Sequence, residues 1–200
     1  MTNRLSVGLA AAMCLIVPLA AGGGAAWAQA KDSAVIGMTL EPPHLDPTAG
    51  AAAAIDEVVY ANVFEGLTRI DETGAVQPAL ARSWEISEDG TTYTFALERG
   101  VTFHDGASFE ASDVVFSFER AMAEGSTNAQ KQLFSAIESM SAPDDHTLVI
   151  ELKQPQGLFL WNMGWGDAVM VAPESAETNA TQPIGTGPFR FDSRIEGQSI

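Results

Sequence analysis

A mixed α/β fold is predicted, with helices and strands sharing the chain without strict alternation. Three observations carry it. Apolar residues recur at three-to-four spacing from Ile55 to Leu67 and again from Asp113 to Met122. The period drops to two in short runs around Gly74 and Gly90, as paired strands require. The lone cysteine, Cys14, lies in an apolar leader, so the remaining chain cannot be stapled and must bury a core. About 170 residues are enough to build one.

The first 30 residues read as a secretory signal peptide. Arg4 supplies the positive start, Leu5–Ala21 the apolar middle, and Ala26-Trp27-Ala28 and Ala28-Gln29-Ala30 the small residues of a cleavage site. A membrane anchor is the alternative; Pro18, the Gly22-Gly23-Gly24 run and the lack of a basic stop-transfer flank weigh against it. Met13 is too large to precede a lipidated cysteine, so Cys14 is read as discarded and the protein as periplasmic and not a lipoprotein.

Ala34–Leu40 (AVIGMTL) is long enough for a buried strand, and Glu41–Gly50 (EPPHLDPTAG) is a loop because its prolines forbid pairing. Ile55, Val58, Val59, Val63 and Leu67 share one helical face; Gly66 either ends that helix or permits close packing. Leu67–Asp71 and Ala75–Val76 form one hairpin around Glu72-Thr73-Gly74. Ser83–Ser87 and Thr91–Leu97 form another around Glu88-Asp89-Gly90, where Asp-Gly is a strong hairpin signal. Tyr93, Phe95 and Leu97 share one face of the second arm. Asp113–Met122 is a helix with Val114, Val115, Phe118 and Met122 inward. His146–Leu152 is a strand entered through Pro143-Asp144-Asp145. Gly157–Trp165 is an aromatic helix or turn, Ala168–Val171 a short strand and Thr181–Pro188 a loop. Phe189–Asp192 and Gly197–Ile200 look like two arms of a hairpin in which the chain stops, as if it were the amino-terminal part of a longer protein.

The formal charge of −16 argues against nucleic acid, which needs a basic face, and against an anionic membrane surface. Otherwise it favours solubility and says little about a site. The stretch FHDGASFEASDVVFSFERAM, residues 103–122, raises the question of catalysis. His104 and Asp105 are adjacent, so extended backbone would aim them to opposite faces. No Gly-x-Ser-x-Gly turn is present, and no cysteine outside the leader. His44, His104 and His146 are dispersed, with no zinc-ligand spacing. Each residue of the stretch has a structural use instead: Asp105-Gly106 as a turn, Asp113 in the first helical turn, and Val114, Val115 and Phe118 as core. No catalytic residue, metal or cofactor is assigned. A secreted hydrolase using His104, Asp105 and Asp113, and a secreted structural module, are the rival readings.

That stretch also carries a resemblance, in Phe103, Asp105-Gly106, Phe109 and Ala111-Ser112-Asp113-Val114-Val115-Phe116-Ser117. In order along the chain it is joined by Leu45-Asp46-Pro47, Val63-Phe64-Glu65-Gly66-Leu67, Pro78-Ala79-Leu80-Ala81 with Trp84-Glu85-Ile86, and Pro183-Ile184-Gly185-Thr186-Gly187-Pro188-Phe189. Each motif is weak alone, but together they span nearly all of residues 34–192. The chain resembles the extracytoplasmic solute-binding proteins of ABC importers, in the family 5 class that takes peptides and nickel. Glu110 and Ser112 depart from the commoner Thr and Glu, which weakens the expected hydroxyl cap.

The resemblance implies a two-lobed, type II periplasmic-binding-protein fold with a small α+β domain inserted into the first lobe, present here only in part. Residues 31–61 would start lobe one, 62–169 would form the insert and 170–200 would return to lobe one. It implies capture of a small solute, most plausibly a di- or oligopeptide, by a monomer that delivers it to ABC permease membrane subunits, with nickel, an oligosaccharide or an opine as alternatives. The candidate ligand-binding residues are Thr39, Leu40 and Glu41, where the first strand would leave the sheet at its carboxyl edge. An ordinary strand-to-loop turn is the other reading of that segment. His44 is a candidate that a plain loop position also explains, and Trp165, with Trp161, either lines the cleft or belongs to the core. Gly185-Thr186-Gly187 is read mainly as a backbone turn. The charged anchors a peptide needs are not identified.

Overall fold

The alternation in Thr92–Leu97 organises the larger sheet. Tyr93, Phe95 and Leu97 are buried, while Thr92, Thr94 and Ala96 are half-buried on the opposite face. The computed structural model describes residues 33–200, so the leader expected over residues 1–30 lies outside the described residues. The chain divides into two units, Met1–Gly37 and Met38–Ile200; of the first only residues 33–37 are described, and they form no regular element.

In the second unit β1 (Thr68–Ile70) and β2 (Val76–Pro78) make a small antiparallel ribbon. Strands β3 (Ala81–Ile86), β4 (Thr92–Leu97), β5 (Ile137–Asp144) and β6 (Thr147–Leu152) form an antiparallel sheet in the order β3-β4-β6-β5. Both expected hairpins are present, and Gly90 takes φ +73, which only glycine adopts freely, to close the second. At the first, the exposed Asp71 carboxylate accepts from Thr73 Oγ1 at 2.7 Å and Gln77 Nε2 at 2.7 Å, and these and backbone donors lower its pKa to about 2.

Helix α2 (Ala111–Met122) covers the sheet, packing on β5 and β6. Val114 and Phe118 are fully buried and Val115 and Met122 half-buried; Phe118 meets Phe134 with ring centroids 5.1 Å apart. The missing hydroxyl at Glu110 is offset by Asp113, whose Oδ2 accepts the Glu110 N–H at 2.8 Å. These side chains join β4 and β6 in one apolar cluster running from Leu67 to Ala172. A second cluster gathers Leu45, Ile55, Val59, Val63 and Phe64 with Val169, Val171 and Ala176.

Several expectations are corrected. Ala34–Leu40 is not a strand: neither sheet takes it up, so its backbone has no ladder, and Val35, Ile36 and Leu40 are exposed. Helix α1 (Ala53–Val59) stops well before Leu67. Tyr60 is extended, Ala61 has φ +56, and Asn62 Nδ2 donates to Val58 O at 3.0 Å, taking a carbonyl that the next turn would use. Ile55, Val58, Val59 and Val63 still pack together in the second cluster, and only Leu67 leaves that face, joining the first. Gly66 permits close packing: an added Cβ would lie 2.8 Å from Met163 O. Ala168–Val171 is buried but makes only one bridge, Gly66 to Val169. Helix α3 (Phe159–Asn162) and a 3-10 turn at Gly166–Ala168 precede it. Phe189–Asp192 and Gly197–Ile200 do not pair as strands; a single bridge joins Ile195 to Ser199 around an exposed turn.

Candidate ligand-binding site

The prolines after Leu40 set the first candidates. Pro42 is buried and anchors the segment, leaving Thr39, Leu40 and Glu41 exposed. The Glu41 carboxylate is not idle: Oε1 accepts from Gly197 N at 2.9 Å and from Arg194 Nη2 at 3.0 Å. Those two donors, the backbone one first, hold its pKa below the usual carboxylate value. His44 turns inward on its own loop, where Nδ1 accepts the Asp46 N–H at 3.3 Å and the ring lies against Gly50. Asp46 Oδ1 accepts from Thr48 N at 2.9 Å, capping the 3-10 turn Pro47–Ala49. His44 therefore serves the Leu45-Asp46-Pro47 turn.

Trp165 sits elsewhere. Its ring meets Trp161 edge-on at 5.2 Å, both are half-buried, and its buried Nε1 has no hydrogen-bond partner among the described residues. No hydrogen bond or aromatic contact among the described residues joins it to Thr39–His44. Its sequence neighbours instead meet α1. The Tyr60 hydroxyl donates to Gly164 O, and the Asp56 carboxylate lies so close to Gly166 that an added Cβ would be 2.6 Å from its carboxyl carbon. Beside it Asp167 is buried, and its pKa is pushed up to about 6 by burial and then by the charge of Asp56. Burial also raises Asp56, and burial followed by Asp56 raises Tyr60. Asp56, Tyr60 and Asp167 were absent from the sequence candidates. Nothing local marks them, because they meet only when α1 packs on the 164–167 turn.

Asp167 makes stability pH-dependent. Its folded pKa, about 6, exceeds the unfolded value of roughly 3.9. Below about pH 4 both states hold the proton and there is no penalty. As pH rises toward 6 the unfolded state has lost a proton that the folded state keeps, so stability falls, and above 6 the loss is complete. Asp167→Asn is therefore expected to stabilise the protein by about 1–2 kcal/mol at pH 7.5, allowing for solvent screening, and not at pH 4. Urea unfolding at the two pH values measures it; an equal gain at both would contradict the assignment.

His104 is scaffold. Gly185 N donates to Nδ1 at 3.4 Å, so Nε2 carries the proton and donates to Gly187 O at 2.8 Å. Asp105 Oδ1 accepts the Ala107 N–H at 3.0 Å and closes the turn, making no bond to His104. Asp113 is buried at the start of α2, so the three residues of the hydrolase reading do not converge. The recess of about 330 Å³ beside His104 and Asp105 contains no serine, cysteine or lysine. Gly185 and Gly187 press on the chain at Asn62–Phe64, and Thr186 Oγ1 donates to Glu65 Oε2 at 2.9 Å. The Gly-Thr-Gly segment is thus a structural tie. Among the described residues no group of three or more His, Cys, Asp or Glu is placed to hold a metal, and no helix is long and apolar enough to cross a membrane.

Residues 75–200 match the family described as bacterial extracellular solute-binding proteins, family 5 Middle. The chain belongs to that family. The glutathione-binding protein GsiB of Pectobacterium atrosepticum is 36% identical over 170 residues, which are 82% of this chain and 32% of that protein. The chain thus spans about a third of the length of the curated relatives it matches. Among solved structures, AgaA from A. tumefaciens R10 in complex with agropinic acid superposes with TM-score 0.73 at 27% identity, over 78% of this chain and 32% of that one. NikZ from Campylobacter jejuni in complex with Ni(L-His) gives TM-score 0.69 at 32% identity, over 79% and 32%. The mixed α/β fold expected from the sequence is that of the two-lobed binding proteins, of which this chain matches a part.

Proposed function

We infer that the protein is the solute-binding component of an ABC-type importer, capturing a small solute in the periplasm and handing it to the permease subunits. The match of residues 75–200 to the family carries this reading. The solute is most simply a small peptide: glutathione is one, and agropinic acid and Ni(L-His) on the structural neighbours keep opines and nickel complexes as the alternatives. Residues 62–169 form the inserted domain and the flanking segments belong to lobe one. The two apolar clusters support that division in outline, although Val63, Phe64 and Val169 pack with the second and Met170 and Ala172 with the first. Export proceeds through the leader at residues 1–30, and the protein acts as a monomer.

The mechanism is hinge closure. An open cleft is wet; a solute that contacts both lobes binds the closed state better and shifts the population toward it. A solute with equal affinity for both states would move nothing. No bond is made or broken, consistent with the structural use of His104, Asp105 and Asp113. Thr39, Leu40, Glu41, His44 and Trp165 are the candidate contacts. The inward turn of His44 favours Thr39, Leu40 and Trp165 over it.

The test is thermal unfolding of the full-length protein with glutathione, a dipeptide, nickel–histidine, an opine and an oligosaccharide. One solute is expected to raise the melting temperature with the logarithm of its concentration, by the equivalent of about 2.7 kcal/mol at one hundred times Kd, and to be recovered unchanged. His104→Ala is expected to keep that affinity. A solute consumed by the wild type and spared by His104→Ala would replace this reading with the hydrolase.

A further inference from the structure

Glu41 and Arg194 are 153 residues apart in sequence and meet in one polar cluster. A single nitrogen, Arg194 Nη2, donates both to Glu41 Oε1 at 3.0 Å and to the Pro42 carbonyl. The same Glu41 oxygen accepts the Gly197 N–H at 2.9 Å. That N–H is presented by a tight turn. Ile195 N donates to Ser199 O at 2.8 Å, Ser199 N returns to Ile195 O at 3.0 Å, and Gly197 sits between them at φ +73. An L side chain at that position would be strained, so the presentation depends on glycine. Arg194 is largely buried, with its side chain 15% exposed, and its Nε is buried without a partner among the described residues. Among the described residues the guanidinium is therefore held through Nη2 alone.

We propose that Glu41, Arg194 and Gly197 form a latch that fixes the backbone at Thr39 and Leu40, making Glu41 a positioning residue and not a contact for the solute. This rests on the transport reading for what the positioned segment does. Glu41 Oε1 is already engaged by two donors, one of them charged, and a solute ammonium would have to compete with both. What Glu41 supplies is direction. With Pro42 buried on one side and its carbonyl tied to Arg194, the chain before it leaves at a set angle. Thr39 and Leu40 then offer exposed backbone groups to a solute without paying the ordering entropy at the moment of binding.

The experiment compares Glu41→Ala, Arg194→Ala and Arg194→Lys with the wild type in the full-length protein. Amide exchange is read over residues 194–199, where the N–H groups are bonded, backbone order by NMR relaxation over residues 38–41, and affinity with glutathione as probe. Because Glu41 is exposed and neither it nor Arg194 belongs to an apolar cluster, global unfolding should move little. Exchange over 194–199 is expected to rise roughly three- to tenfold in both alanine variants, and about half as much in Arg194→Lys, which keeps one donor, while order over 38–41 falls in parallel. Glutathione affinity should fall by a similar factor in both alanine variants and recover in part with lysine. Unchanged exchange in Arg194→Ala would overturn the latch. So would an affinity loss confined to Glu41→Ala, which would make Glu41 a direct contact. Wild-type protein that binds none of the solute panel, yet shows the expected exchange, would overturn the transport reading and leave the latch standing.

Discussion

Gly185→Ala is expected to destabilise the protein by about 3–5 kcal/mol, the sum of overpacking and broken backbone hydrogen bonds. A Cβ there would lie 2.0 Å from Val63 O and 2.8 Å from Val63 C, both backbone atoms that no rotamer change can move aside. Relief requires the 185–187 segment to lift from the Asn62–Phe64 turn. That lift strains the bonds crossing the contact, Gly187 N to Val63 O at 2.9 Å and Phe189 N to Asn62 O at 2.9 Å. It also strains His104, whose backbone N–H donates to Gly185 O at 2.9 Å and whose ring holds Gly187 O. Gly125→Ala is the control, because a Cβ there meets nothing within 4 Å, and it should change stability by no more than about 0.5 kcal/mol. Urea unfolding of both variants measures the contrast. A Gly185→Ala protein within about 1 kcal/mol of the wild type would show that the tie is loose.

The second large effect lies at Arg120. Its Nη2 bonds Asp46 Oδ2 at 3.0 Å and reaches Ala176 O at 3.4 Å, while Nη1 donates to Thr48 Oγ1. The Asp46 side chain is only 3% exposed, so Arg120→Met would leave a buried carboxylate without its counter-charge. Breaking such a pair from one side costs about 3–5 kcal/mol, and the 26% exposure of Arg120 brings the expectation to about 2–4 kcal/mol. Adding Asp46→Asn should recover much of the loss, because the charge disappears while the amide oxygen can still accept from Thr48 N. A double-mutant cycle reads the coupling directly, and simple additivity of the two changes would contradict the pairing. The pair also has a mechanical meaning. It joins α2, in the first apolar cluster, to the Leu45-Asp46-Pro47 turn of the second.

The candidate site was legible only in outline. The sequence marks Thr39, Leu40 and Glu41 as the exit from a strand, yet Ala34–Leu40 pairs with nothing among the described residues. The exposure of Thr39 and Leu40 does agree with a role at a surface. Trp165 was chosen as a large aromatic near a chain return. The acidic and phenolic neighbours that surround that return, Asp56, Asp167 and Tyr60, come from segments about one hundred residues apart and share no local pattern. His104 was weighed against catalysis on its spacing alone, and its bonds to Gly185 and Gly187 supply the reason for its presence.

Strand β5 shows why some elements escaped. Only Ile137 is buried along its eight residues, since it is an edge strand with solvent on most sides, and such a strand needs no apolar alternation. It even carries Pro143, which an edge tolerates. By contrast the Asp89-Gly90 hairpin, the alternation of Tyr93, Phe95 and Leu97, and the helical face of α2 were readable, because turn chemistry and side-chain period act within a few residues. The sequence by itself therefore determined the hairpins, the covering helix and, through its ordered motifs, the family. Tertiary structure alone decided which edge β5 takes, and that Glu41 meets Arg194. Each of those outcomes depends on a partner distant in the chain, and a local period carries no information about the identity of that partner.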